Sequence, residues 1–416
     1  MPKELTIENT SLPVGWEMKI FDEVINFSQI GLVRNNKEQS LEYTYRYLKM
    51  NNINNDNGLN EDSFKFVNAT SEEVKRYQLS NDDFLFNTRN SFELVGKNCL
   101  YKSDYTKPTL FNNNILRVRF KDFLFPEFAA YAFSSKAIID NLEKIKSGTT
   151  NVVGIYYKSL KYLEIPIPPL FQQKQIVATL DKAFAAIETA KANAEKNLQN
   201  AKELFESYLQ NVFENKGDDW EEKTLNEVYD VRDGTHDSPK YINEGYALIT
   251  SKNLKNDELN YNKIKYISEQ DYININKRSK VDKGDVLFAM IGTIGNPIVI
   301  KKEPDFAIKN VALFKIPLKQ SSYFLKYYLD SSFVIDKMIK DAKGATQKFV
   351  GLGYLRSFPI SLPPLAEQEE LVKKLNTLSL ETKKLEAIYS QKIADLEEMK
   401  KSVLQKAFSG QLNTIN

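Results

Sequence analysis

The chain is poor in cysteine, histidine and tryptophan and contains no long apolar run. Its 416 residues include one cysteine, one histidine and two tryptophans. The single cysteine, Cys99, excludes an intrachain disulfide and is typical of a reducing compartment. No apolar run approaches the ~20 residues that a membrane helix needs, and the first residues lack the apolar core of a signal peptide. We therefore expect a cytoplasmic protein.

The motifs of common catalytic sites are also missing. His236, the one histidine, has no neighbouring cysteine with which to form a Cys/His zinc site. There is no G-x-x-x-x-G-K-[ST] phosphate loop and no G-x-G-x-x-G fingerprint. An Asn/Asp-Pro-Pro-Tyr/Phe tetrad, which amino-methyltransferases use to hold a flipped base, is absent as well. These absences argue against a self-contained methyltransferase or nuclease and favour a binding or scaffold protein.

The net charge of +2 neither requires nor excludes a nucleic-acid partner, because attraction depends on where the charges lie. Basic residues gather in two regions, one in each half of the chain. These residues are Lys97, Lys102, Lys107, Arg117 and Arg119, followed by Lys252, Lys255, Lys263, Lys265, Lys277, Arg278 and Lys280. Such runs are often solvated surface, so they carry little weight by themselves.

The sequence repeats itself. "GWEMKIFDEVINF" from Gly15 matches "DWEEKTLNEVYDV" from Asp219, and "IPIPPLFQQKQI" from Ile165 matches "FPISLPPLAEQEEL" from Phe358. Between these matches, "SGTTN" from Ser147 corresponds to "KGATQ" from Lys343. The separation falls from 204 to 195 residues along the chain, as small loop insertions would produce. The pattern indicates a tandem duplication of one unit.

Each repeat changes character along its length. Its first part has short runs rich in Val, Ile, Tyr and Phe, punctuated by Gly, Asn and Asp, which predict short strands joined by turns. Its last part follows a double proline, Pro168-Pro169 or Pro363-Pro364, and is free of proline and nearly free of glycine. Because proline is tolerated in the first turn of a helix, each pair predicts the start of a long helix.

Both predicted helices carry apolar residues at heptad spacing. We expect these residues to form an antiparallel coiled coil within the chain; core helices of large domains, or pairing between separate chains, are the alternatives. The predicted interface residues are Leu180, Phe184, Ile187, Leu198 and Phe205 in the first helix, and Leu375, Leu378, Leu385, Leu396 and Met399 in the second. Thr382 and Lys392 are polar interruptions of the second seam.

Several segments, taken in order, resemble the specificity subunits of type I restriction-modification systems. In the second half these are "DGTHDSPKY" from Asp233, "LITSKNL" from Leu248, "KGDVLFAMIGTIG" from Lys283 and "GATQKFVGLGYL" from Gly344. The first half resembles another branch through "NTRNSFELVGKNCLY" from Asn87 and "NNNILRVRF" from Asn112. It lacks a D-G-T-H counterpart and has "FSQIGLVRNN" from Phe27 in that place. The two halves are therefore expected to read different bases.

The resemblance implies an α+β fold. Two mixed α/β target recognition domains are separated by two long antiparallel coiled-coil helices in a pseudo-twofold tandem repeat. The expected boundaries are 1–164 for the first recognition domain, 165–215 for the central conserved helix, 216–358 for the second recognition domain and 359–416 for the C-terminal conserved helix. The implied partners are double-stranded DNA with a bipartite site, two modification subunits and two restriction subunits. Those partners use S-adenosylmethionine, ATP and Mg2+, whereas this chain is expected to bind no cofactor or metal.

Candidate DNA-binding residues follow from these motifs. Glycine allows close backbone approach, small polar side chains suit base edges, and arginine suits guanine or phosphate. In the second half the candidates are Gly234, Thr235 and His236, expected in a tight exposed turn, with Lys240, Ser251, Lys252, Thr293, Thr346 and Gln347. In the first half they are Arg89, Asn90, Ser91, Lys97, Thr150 and Asn151. A structural turn and ordinary surface are the alternative interpretations.

Two other functions stay open. A structural adaptor would use the coiled coil to hold proteins together without reading DNA. A self-contained methyltransferase or nuclease is disfavoured by the missing motifs. Salt-dependent duplex binding separates the first of these from a DNA-reading subunit, because phosphate contacts weaken steeply with salt.

Overall fold

The computed structural model describes residues 12–54, 57–149, 152–344 and 348–412. The chain forms two compact units. Unit 1 comprises residues up to Asn193 together with those from Lys392 onward, and unit 2 comprises Ala194–Gln391. Each unit therefore holds one globular copy of the repeat and a part of each long helix.

Unit 1 is built from the short strands and small helices that its turn-rich sequence predicts. The strands are β1 (Glu17–Ile20), β2 (Ile25–Ile30), β3 (Tyr45–Leu48), β4 (Lys65–Val67), β5 (Phe84–Asn87), β6 (Arg89–Asn90), β7 (Asn98–Leu100), β8 (Thr109–Phe111), β9 (Ile115–Phe120), β10 (Ser147–Thr149), β11 (Val152–Gly154) and β12 (Glu164–Ile167). The helices are α1 (Phe21–Val24), α2 (Ser71–Tyr77), α3 (Pro126–Phe133), α4 (Lys136–Ile145), α5 (Tyr157–Leu160) and the first part of α6 (Leu170–Glu214).

The strands of unit 1 form small sheets around an aromatic core. The order β2-β9-β5-β7 gives an antiparallel sheet, and β4-β3-β8 gives a second sheet in which β3 and β8 are parallel. A ribbon β10-β11-β6 and the pair β1-β12 complete the described strands. Phe84 and Phe133 lie at the centre of the core with ring centroids 5.0 Å apart, and both are fully buried.

Unit 2 repeats this set of elements. Its strands are β13 (Glu221–Thr224), β14 (Asp230–Asp233), β15 (Tyr246–Ile249), β16 (Leu254–Lys255), β17 (Glu258–Leu259), β18 (Lys265–Ile267), β19 (Val286–Ala289), β20 (Gly295–Val299), β21 (Phe306–Ile308), β22 (Val311–Lys315) and β23 (Pro359–Leu362). Its helices are the last part of α6, α7 (Leu225–Val228), α8 (Glu269–Ser279), α9 (Ser322–Asp330), α10 (Ser332–Asp341), α11 (Leu352–Ser357) and the first part of α12 (Leu365–Phe408).

The topology confirms the duplication inferred from the sequence. The sheet β14-β22-β19-β20 corresponds to β2-β9-β5-β7, and β18-β15-β21 corresponds to β4-β3-β8, with the same parallel pair. In both units the first strand pairs antiparallel with the strand that precedes the long helix, β1 with β12 and β13 with β23. The two ends of each globular region therefore lie side by side.

The repeated double-proline motif anchors each long helix through a buried glutamine. Gln173 accepts a hydrogen bond from the Phe125 amide at 2.8 Å and donates to the carbonyls of Phe123 and Pro168 at 2.9 and 2.8 Å. Gln173 is fully buried. Three polar backbone groups next to the helix start are thus satisfied by one side chain.

Gln368 performs the same task in unit 2. Its Oε1 accepts from the Ser321 amide at 3.1 Å, and its Nε2 donates to Gln320 Oε1 and to the Pro363 carbonyl, both at 2.9 Å. The two tryptophans occupy equivalent positions beside these anchors. The Trp16 indole donates to Gln172, and that of Trp220 donates to Glu367.

Helix α6 has the predicted heptad seam. Its buried or half-buried positions alternate by three and four residues from Val177 to Val212. The predicted residues Leu180 and Ile187 are buried, and Phe184, Leu198 and Phe205 are half-buried. Ala194 and Ala201 are also buried, so small residues fill the middle of the seam.

The seam of α12 lies partly one residue later than predicted. It contains the predicted Leu375 and Leu396, and also Val372, Ser379, Thr382, Glu386, Tyr389, Ile393, Lys400, Val403 and Ala407. Leu378 is half-buried beside it, but Leu385 is 37% exposed and Met399 is 52% exposed, so neither lies in the interface. The prediction failed there because the polar side chains of Glu386 and Lys400 occupy seam positions and the more apolar neighbours point elsewhere.

Ion pairs define the helix direction within unit 1. Lys191 Nζ lies 2.8 Å from Glu397 Oε1, and Lys400 Nζ lies 2.9 Å from Glu188 Oε1. Residue numbers rise along one helix as they fall along the other, so the paired segments are antiparallel. In unit 2, Phe205 and Leu209 of α6 share one core with Val372 and Leu375 of α12.

Candidate nucleic-acid interface

A nearly buried carboxylate at the end of β14 organises a polar cluster in unit 2. The Asp233 side chain is only 4% exposed. Its Oδ2 lies 2.8 Å from His236 Nε2, and its Oδ1 pairs with the Arg278 guanidinium at the end of α8. The side chains of His236 and Arg278 are 59% and 65% exposed. The buried Asp233 carboxylate thus fixes the positions of two exposed side chains, His236 and Arg278.

Asn310 completes the environment of His236. The Nδ1 atom of His236 lies 2.7 Å from Asn310 Oδ1, so both ring nitrogens have partners within the protein. Asn310 has a φ of 53°, a left-handed conformation that asparagine tolerates better than most residues. Its neighbour Lys309 donates to the Asp237 carbonyl at 2.7 Å and to Ser238 Oγ at 2.6 Å.

The predicted tight exposed turn at Gly234–His236 is instead an extended segment. The Thr235 amide donates to the Ile308 carbonyl at 3.0 Å, and Gly234 is buried. A Cβ atom on Gly234 would lie 2.3 Å from the Ile308 carbonyl oxygen. Glycine is therefore required here for close approach to the chain's own backbone, and of the three residues His236 alone is exposed.

Unit 1 has the same backbone at this place with different side chains. The Gly31 amide donates to Ile115 and that of Leu32 donates to Phe111, as Gly234 and Thr235 do to Val311 and Ile308. A Cβ atom on Gly31 would also lie 2.3 Å from a carbonyl oxygen. Ile30 replaces Asp233 and Val33 replaces His236, and both are exposed, at 44% and 67%.

The other candidates in unit 2 lie on the surface without forming one described cluster. Lys240 and Lys252 are exposed, and Thr293 is exposed in the bend between β19 and β20. Ser251 is half-buried, and its hydroxyl donates to the Asn310 carbonyl at 3.3 Å, which brings it to the edge of the Asp233 cluster. Thr346 and Gln347 lie outside the described residues.

In unit 1, Arg89 and Asn90 form β6 beside the ribbon strand β11. The Arg89 side chain is exposed and its guanidinium lies 6.0 Å from the Tyr156 ring centroid. Ser91 and Lys97 are half-buried. Thr150 and Asn151 follow β10 and lie outside the described residues. The sequence matched the segment from Ser147 with the segment from Lys343. Both begin with a residue in an antiparallel pair, Ser147 with Gly154 and Lys343 with Phe349.

Some basic side chains bond to groups of the protein itself. Arg117 is buried, which lowers the pKa of its guanidinium, and it donates to the carbonyls of Gln78 and Arg76. Arg119 and the nearly buried Asp83 form an ion pair at 2.5 Å. In unit 2, Lys315 pairs with Asp285, whose pKa is raised by burial despite that lysine. These cations are structural.

A second charged network joins a hairpin of unit 2 to two helices. Asp257, between β16 and β17, pairs with Lys326 of α9 at 2.8 Å and with Lys383 of α12 at 3.1 Å. Burial acts to raise the pKa of Asp257, but the two lysines outweigh it and lower the pKa. In unit 1 the corresponding Asn57 donates to Ser134, so a neutral hydrogen bond replaces the ion pairs.

Within the described residues no three His, Cys, Asp or Glu side chains are grouped so that they could hold a metal ion. The helices described by the structure include none with the length and apolarity needed to span a membrane. Arg278, Asp233, Lys309 and Asn310 were not among the predicted site residues. Asparagine adopts the left-handed backbone conformation more readily than most residues, and this was the local signal that could have pointed to Asn310.

Comparison with known proteins identifies the fold. The model of the type I restriction modification DNA specificity domain matches residues 13–197 and again 217–395. The EcoKI specificity subunit of Escherichia coli K12 is 25% identical over 433 residues, covering 96% of this chain and 90% of that protein. The EcoBI specificity subunit of Escherichia coli is 24% identical, covering 74% and 70%.

Solved structures agree. A chain from work on complex assembly and conformational transition of the type I R-M system superposes with a TM-score of 0.75 at 20% identity, covering 97% of this chain and all of that one. The HsdS subunit of Thermoanaerobacter tengcongensis gives 0.65 at 20% identity, with 97% and 99% covered. The fold is that of a protein with two tandem DNA specificity domains. The chain belongs to the specificity subunits of type I restriction-modification systems.

Proposed function

We propose that this chain binds a bipartite DNA site through its two globular domains and assembles a type I restriction-modification complex. Two modification subunits methylate adenine at N6 in each half-site, and two restriction subunits complete the nuclease. Those partners use S-adenosylmethionine, ATP and Mg2+, and the complex acts in the cytoplasm. The chain itself is non-catalytic and binds no cofactor.

The observation that carries the proposal is one backbone presented twice with different surface chemistry. After β2 and after β14 the chain follows the same hydrogen-bonded path, but unit 1 exposes Ile30 and Val33 where unit 2 has Asp233 and His236. Base edges in the major groove are distinguished by donors, acceptors and the thymine methyl group. An apolar surface and a donor-rich surface on the same fold suit two unlike half-sites.

Exposed lysines of unit 2 supply the phosphate contacts that set register. Lys240 and Lys252 are exposed. Phosphate contacts contribute affinity that falls with salt, whereas base contacts contribute sequence preference. The candidate DNA-binding residues of both units, including those outside the described residues, belong to this proposed interface.

The test uses the chain purified with the modification subunits of its own system. Methylation-sensitive sequencing of host DNA should reveal an interrupted, asymmetric motif with one methylated adenine in each part. Duplexes carrying that motif should bind with a steep salt dependence and should bind more tightly than duplexes with either part scrambled. A continuous motif would refute the two-domain model, and salt-independent association without sequence preference would favour a structural adaptor.

A further inference from the structure

We propose that Arg278 reads guanine in the second half-site and that Asp233 is its positioning residue. This inference rests on the proposed function and assigns a base-reading residue that the sequence motifs did not indicate. His236 would then help to hold the cluster together and would not contact a base edge itself.

The hydrogen bonds of His236 support this division of roles. Its Nε2 faces the Asp233 carboxylate at 2.8 Å and its Nδ1 faces the Asn310 side chain at 2.7 Å. An imidazole has two polar atoms, and both are used. A hydrogen bond from this ring to a base would require one of these contacts to break.

Arg278 is arranged differently. Its Nη2 bonds Asp233 Oδ1, and its other N–H groups have no partner among the described residues. A guanidinium carries five N–H donors in a planar fork, so the edge needed for a bidentate contact to guanine O6 and N7 is retained. The Arg278 backbone is also held, because Arg232 Nη1 donates to its carbonyl at 3.2 Å.

Stability alone does not account for the cluster. An exposed ion pair contributes little to folding, whereas taking a carboxylate out of water is costly. Asp233 is 4% exposed although both of its partners are mostly exposed. The effect of the buried carboxylate is to hold the Arg278 side chain in one rotamer at the surface. A side chain that is already fixed loses less conformational entropy on binding.

Unit 1 provides an internal contrast. Ile30 occupies the place of Asp233, and α2 covers seven residues where α8 covers eleven. No carboxylate is available at that place to position an arginine. The preference for guanine from this position is therefore expected in the second half-site and not at the equivalent base pair of the first.

The experiment measures base preference with the chain in complex with its modification subunits. Duplexes containing the bipartite motif are randomised across the second half-site, and bound sequences are counted. Arg278→Ala should lose discrimination for guanine at one position by about 10- to 100-fold while the other positions keep theirs. Arg278→Lys should restore part of the affinity but little of the preference, because lysine lacks the planar fork.

Two further variants separate positioning from folding. Asp233→Asn should relax the same position with an unchanged salt slope. Lys277→Gln, a neighbouring charge change on the same helix, should lower affinity without changing preference. The inference is overturned if Arg278→Ala keeps the guanine preference or if it weakens every position equally. Absence of any preference in the unaltered chain would instead reject the proposed function.

Discussion

The buried glutamine at the start of each long helix allows a quantitative prediction. Gln173→Leu keeps the side-chain size and a high helix propensity, so its main effect is on hydrogen bonding. Three bonds of 2.8–2.9 Å are lost, and one backbone N–H and two carbonyls are left without this partner. At about 1 kcal/mol for each bond, we expect unit 1 to lose about 3 kcal/mol of unfolding free energy.

The two tryptophans allow each unit to be followed separately in urea, since Trp16 lies in unit 1 and Trp220 in unit 2. With Trp220→Phe as the background, Gln173→Leu should shift the midpoint by about 1 M or more, because m is about 1–3 kcal/mol per molar urea. Gln368→Leu should instead shift the Trp220 signal in a Trp16→Phe background.

The control is Gln199→Leu in the Trp16→Phe background, an exposed position in the unit 2 part of α6 whose side chain donates to Glu203 and to no other described residue. It should change stability by less than about 0.5 kcal/mol. The reasoning would be refuted if Gln173→Leu cost less than about 1 kcal/mol, or if it moved both tryptophan signals equally.

Four further predictions follow from burial and charge. Leu375→Ala should cost about 2–5 kcal/mol in urea unfolding, and Leu385→Ala should cost under about 1 kcal/mol, because the first is buried and the second is 37% exposed. Gly234→Ala should cost about 3 kcal/mol or more by the same measurement, since its Cβ would meet a backbone oxygen at 2.3 Å. Because the pKa of Asp257 is lowered in the folded state, its ionised carboxylate stabilises unit 2 fully at neutral pH, and this stabilisation is lost as the pH falls below about 4. Asp257→Asn should therefore make the unfolding free energy of unit 2 less sensitive to acid. Cys99 is buried with its pKa raised to about 12, so it should resist alkylation until unit 1 unfolds.

The sequence predicted the repeat and the α6 seam because both depend on local patterns. Strong apolar periodicity located Leu180 and Ile187 correctly. In α12 the same reasoning chose Leu385 and Met399, where the structure buries or partly buries neighbouring polar groups. Heptad assignment fails when the most apolar residue of a turn is not the one that faces the partner.

The Asp233 cluster was only partly predictable because its members are distant in sequence. Asp233 and His236 stood in one motif, but Asn310 is 74 residues from His236 and Arg278 is 45 from Asp233. Sheet pairing and the end of α8 bring them together. Local sequence does not carry that information. Without the topology, Arg278 cannot be distinguished from the many other basic residues of the chain.

The pairing of β1 with β12, and of β13 with β23, makes each globular region a cassette. Chain entry and exit are held on adjacent antiparallel strands. A segment inserted between two neighbouring strands can be exchanged for another of similar fold while the flanking helices keep their sequence and their seam. Sequence change within one globular region can thus leave the helix that follows it unaltered.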